Sequence, residues 1–141
     1  MLYDLVFVSH IVAGLVAILV LFTMKSTAVA IVNDVEEKVR LPRGRNWAAR
    51  TLHLIPLTGF ATLAASTSQP DPISVQHAWV LVGLACYLAM SGILEARVLP
   101  TEQRFVAGIA AKSEAAQMNR QLDFILGFVT IATITMLTQW G

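Results

Sequence analysis

Three histidines are the side chains of this 141-residue chain best suited to hold a metal or carry a proton near neutral pH. His10 and His77 stand at the start of two apolar stretches, and Tyr3, Asp4 and Asp71 fall at the same depth. Neutral imidazole is a common nitrogen donor, so His10 and His77 are candidate ligands of one metal ion or one haem iron. The simpler reading on spacing alone is local, in which His10 bonds a neighbouring helix and His77 caps a helix in water. His53 falls near the opposite end with Arg50, Glu95, Arg97 and Asp123. A set of His53, Glu95 and Asp123 is able to hold or relay a proton, whereas Arg50, Arg97 and Arg120 are placed to neutralise both carboxylates as structural ion pairs. His10 and His53 are expected in opposite leaflets and so cannot ligate the same atom.

Other chemistries lack their residues. The single cysteine, Cys86, excludes an internal disulfide and a cysteine-built zinc or iron-sulfur centre. The chain has no Gly-rich phosphate loop, no HExxH and no nucleophile elbow, so no motif supports an enzyme. Ten basic and nine acidic residues leave a net charge of +1, which gives no basic surface for nucleic acid.

The positions of these residues depend on the elements that carry them. Hydrophobic residues make up 56% and charged residues 13%, against about a quarter charged in soluble proteins, which indicates a membrane protein. Four stretches are long enough to cross a hydrocarbon core of about 30 Å: 5–24, 48–66, 77–94 and 122–140. The first is too long for a signal-peptide core and lacks a basic start, so it is expected to be retained. Together they predict an all-α, four-helix transmembrane bundle forming one domain over 1–141. All ten basic residues sort into or beside the first and third connections, so both termini and the short second loop are expected outside. Tyr3, Trp47, Trp79 and Trp140 suit the membrane interfaces.

Val29, Val32, Val35 and Val39 extend the first helix into the cytoplasm until Leu41-Pro42-Arg43-Gly44 breaks it. A second cytoplasmic helix is expected to start after Pro100 and run toward the fourth span. Pro56 frees the carbonyl of Leu52 and predicts a kink beside His53, eased by Gly59. Ser9, Ala13 and Ala17, with Thr58, Thr62 and Ser66 and with Ala85 and Ala89, form small-residue stripes for close helix packing.

Ser9-His10-Ile11-Val12-Ala13-Gly14, Leu57-Thr58-Gly59-Phe60 and Val98-Leu99-Pro100 with Arg104 beyond resemble the copper-resistance protein D superfamily of small four-span bacterial membrane proteins. The resemblance covers most of the chain and implies a bacterial inner-membrane location. In haem-linked members a first-span histidine ligates the iron of haem b, and His10 is the matching position. Those members carry a lysine after the Trp region, where Trp79 is followed here by Val80, Leu81 and Val82. The nearer likeness is therefore to the branch of integral membrane proteins of unassigned role. The reading that follows is a non-catalytic binding or accessory protein in contact with the lipid bilayer, with a homo-oligomer or a membrane complex as its protein partner. A haem- or metal-binding protein using His10 is the alternative. A small transporter or channel, with His53, Glu95, Asp123 and the Pro56 kink as its pathway, is the third class.

Overall fold

The computed structural model describes residues 1–138, all of whose regular structure is helical. Helix α1 spans Leu2–Val32, α2 Leu54–Ser66, α3 Ala78–Ile93, α4 Leu99–Val106 and α5 Lys112–Thr138. A π turn, Leu94–Val98, joins α3 to α4 without a break, and a 3-10 turn, Ala49–His53, leads into α2. Trp140, expected as an anchor, lies outside the described residues.

Among the described residues, three helical stretches are long and apolar enough to cross a membrane: Leu2–Val32, Ala78–Val106 and Lys112–Thr138. In their most apolar windows only 17%, 17% and 11% of residues are buried inside the chain. Exposed side chains such as Leu19, Phe22, Leu88 and Phe124 therefore need an apolar medium, which suits contact with a bilayer. Helix α2, with 13 residues, rises only about 20 Å and falls short of the hydrocarbon core alone.

Helix α1 packs between α2 and α5, and α5 packs between α1 and α3. The apolar core collects toward the end of α1 that carries Leu21 and Met24, where they meet Leu52, Leu94, Val98, Met118, Leu122 and Ile125. Ala13 and Ala17 on α1 and Thr62 and Ser66 on α2 are buried, as small-residue stripes between close helices require. In the third stretch, Ala85 is exposed.

The helix ends differ from the sequence expectation in three places. Helix α1 stops at Val32, short of Val39. Asp34 takes a left-handed φ of 56°, and the amides of Asp34 and Val35 return to the carbonyls of Ile31 and Ala30 at 3.4 and 2.9 Å. This Schellman closure satisfies the last carbonyls and turns the chain away. Pro100 does not begin a separate helix: it falls in the first turn of α4, which the wide turn at Leu94–Val98, closed by the Leu99 amide on the Leu94 carbonyl, joins to α3. The helix instead ends at Gly108, φ 71°, with the amides of Gly108 and Ile109 on the carbonyls of Phe105 and Arg104, both at 3.0 Å. Pro56 falls in the first turn of α2, so the backbone changes there from 3-10 to α.

Candidate functional site

Two polar groups are built around the histidines His10 and His53. The first joins α1 to α2, where His10 Nδ1 is 3.0 Å from Thr58 Oγ1. The Thr58 hydroxyl donates its one proton to the carbonyl of Leu54 at 2.7 Å, with that of Ile55 at 3.1 Å. Its oxygen is therefore an acceptor toward the ring. Nδ1 then carries the proton and Nε2 holds the lone pair, the tautomer being assigned from this network. Gly59 packs against the same ring: a Cβ at this position would lie 3.2 Å from His10 Cε1. The close approach of α2 thus uses the missing side chain of Gly59.

His77 does not join His10. Its Nδ1 accepts the amide proton of Ser74 at 2.9 Å, and its ring lies 6.2 Å from that of Trp79 at the start of α3. Asp4 is exposed and pairs with the terminal amine, and Tyr3 stacks on Phe7 at 5.9 Å. No group of three His, Cys, Asp or Glu residues able to hold a metal occurs among the described residues.

The second group links the start of α2 to the end of α3. Arg50 Nη2 donates to Glu95 Oε2 at 3.0 Å, His53 Nε2 lies 3.1 Å from Glu95 Oε1, and His53 Nδ1 lies 2.8 Å from the Tyr87 hydroxyl. The 3-10 turn directs Arg50 and His53, and the π turn directs Glu95. The chain of bonds ends on the guanidinium, which compensates the carboxylate and makes a clamp between two helices that otherwise lack close packing. Arg97, exposed, makes no hydrogen bond or ion pair among the described residues. Asp123 belongs elsewhere: on α5 it pairs with Lys25 of α1, which also donates to Asn119 Oδ1 at 3.3 Å. Packing of α5 against α1 gives Asp123 a lysine partner instead of Arg50, Arg97 or Arg120.

Thr58 was legible in sequence only as a small packing residue, and Tyr87 only as part of an apolar span. A third interaction gave no sequence signal. Glu102, 3% exposed, accepts from Asn46 Nδ2 through both oxygens at 3.0 and 2.9 Å, while Asn46 Oδ1 accepts the amide proton of Ala49 at 3.0 Å. This ties the first connection to α4, and Lys112 pairs with Asp34 at the same end.

Comparison with protein-family models, with curated proteins and with solved structures finds no match for the chain.

Proposed function

We propose that this chain is a membrane protein of four helical crossings that acts by binding and not by catalysis, with His10 as the donor to its ligand. The observation that carries this reading is the Thr58 hydroxyl, committed to the Leu54 carbonyl and accepting from His10 Nδ1. Ligating histidines characteristically give their second ring proton to such an acceptor, which orients the ring and raises the basicity of the free nitrogen. Nε2 has no hydrogen-bond partner among the described residues. It would hold the iron of a b-type haem or a single metal ion. When bound, that group would supply an open coordination position or a redox centre, and Thr58 and Gly59 would fix the ring that carries it.

The fourth crossing is supported by length. The 5 residues of the 3-10 turn add about 10 Å to the roughly 20 Å of α2, which together match the hydrocarbon core. Termini on the outer side are supported by the bonds from Asn46 to Glu102 and from Asp34 to Lys112, which gather both base-rich connections at one end. The proposal extends to the copper-resistance protein D superfamily and the bacterial inner membrane, on the residues around His10 that carry the resemblance. In this reading the Arg50, His53, Glu95 and Tyr87 cluster holds α2 to α3 and is not a transport path. Absorbance spectra and metal content of the purified protein, the His10→Ala variant and the His53→Ala variant test the ligand assignment.

A further inference from the structure

The stretch 40–50 contains Arg40, Arg43, Arg45 and Arg50 and no acidic residue. Within it, the guanidinium carbons of Arg45 and Arg50 lie 5.2 and 5.4 Å from the centre of the Trp47 ring. Trp47 is 67% exposed. Glu95 occupies one nitrogen of Arg50, while Arg50 Nε is buried with no acceptor. Arg45 has neither a carboxylate nor a carbonyl partner for its side chain among the described residues, and its guanidinium lies over the indole. Two guanidiniums held at one aromatic ring, with a single carboxylate between them, leave an uncompensated positive charge. The same turn leads directly into α2, which places that charge where an apolar helix begins.

We propose that Arg45, Trp47 and Arg50 form a headgroup site for an anionic phospholipid. Guanidinium donors match phosphate oxygens in a planar fork and stack on aromatic faces, which an ammonium group does less well. Indole prefers the depth of the glycerol and headgroup region, so the ring sets the level at which the two arginines meet the phosphate. The phosphate supplies the anion that Arg45 lacks, and the acyl chains lie along the exposed apolar surface of α2, including Leu54 and Leu57.

The test uses the full chain with Trp79→Phe and Trp140→Phe, so that Trp47 alone emits. The protein in detergent is titrated with phosphatidylglycerol or phosphatidylcholine carrying brominated acyl chains, which quench a tryptophan in contact. Phosphatidylglycerol is expected to quench at a several-fold lower mole fraction. Arg45→Gln, which breaks no ion pair, is expected to weaken this by about fivefold, the effect of one basic residue at an anionic surface. Arg120→Gln, which removes an exposed charge from α5, should leave it unchanged. Equal quenching by the two lipids, or equal losses in Arg45→Gln and Arg120→Gln, would overturn the site. Displacement of phosphatidylglycerol by inorganic phosphate at constant ionic strength would also overturn the lipid assignment, in favour of a free-phosphate site.

Discussion

His10 of α1 and Thr58 of α2 meet at 3.0 Å, and the Thr58 hydroxyl is already donating to the carbonyl of Leu54 at 2.7 Å. A backbone carbonyl four residues back thus decides which imidazole nitrogen carries the proton. The consequence is a lone pair on Nε2 within an apolar span, a placement that membrane energetics disfavours unless a partner takes it.

This arrangement predicts the tautomer directly. Nitrogen NMR of histidine-labelled protein should show His10 protonated at Nδ1. Thr58→Val should redistribute the proton and lower ligand affinity by about 10- to 100-fold, the usual effect of removing such an acceptor. Gly59→Val should displace the ring, because even a Cβ would meet Cε1 at 3.2 Å. An Nε2-protonated His10 in the parent protein would contradict the assignment.

The two ionic groups should be energetically separate. A double-mutant cycle on Lys25 and Asp123 is expected to give a coupling of about 0.5 to 1 kcal/mol, since both side chains are partly exposed. The cycle on Arg50 and Asp123 should stay within about 0.3 kcal/mol of additive. A larger coupling for the second pair would return Asp123 to the Arg50 cluster.

How much of this was legible in the sequence depended on whether a feature needs a facing. His10 could be recognised from one residue, because an imidazole inside an apolar run needs a partner wherever it points. Arg50, His53 and Glu95 could be grouped from depth alone, and the structure brings them together. Asp123 has a similar depth, but its side chain follows the packing of α5 on α1, so its partner is Lys25, ninety-eight residues away. Thr58 reads as a small residue until α1 is known to lie against it. The end of α1 was hidden because Asp34 occupies a left-handed position usually held by glycine. The π turn was hidden because it carries α3 straight into α4 at Pro100, a point where proline ordinarily marks a helix start.

The two Schellman closures make parallel predictions for substitution by alanine. Gly108→Ala should destabilise the protein by about 1 kcal/mol, because alanine resists a φ of 71°. Asp34→Ala should destabilise it by a similar amount, because aspartate tolerates a φ of 56° better than alanine and the ion pair with Lys112 is lost as well. Thermal melts in detergent give both values, and an unchanged midpoint in Gly108→Ala would argue against the closure at the end of α4.

Topology can be read by labelling in intact cells with a membrane-impermeant maleimide, using a Cys86→Ser background. Cysteine replacing Ser68 should react from outside, and cysteine replacing Gly44 should react only after the membrane is opened. Reaction at both positions in intact cells would contradict an even number of crossings with the basic connections inside.

The central claim, that His10 holds the ligand, is tested most directly by the visible spectrum and metal content of protein purified after haem- and metal-replete expression. The parent and His53→Ala should carry the same Soret band or the same bound metal, and His10→Ala should carry neither. A cofactor retained at full occupancy in His10→Ala would contradict the account, as would a parent protein that binds neither haem nor metal under those conditions.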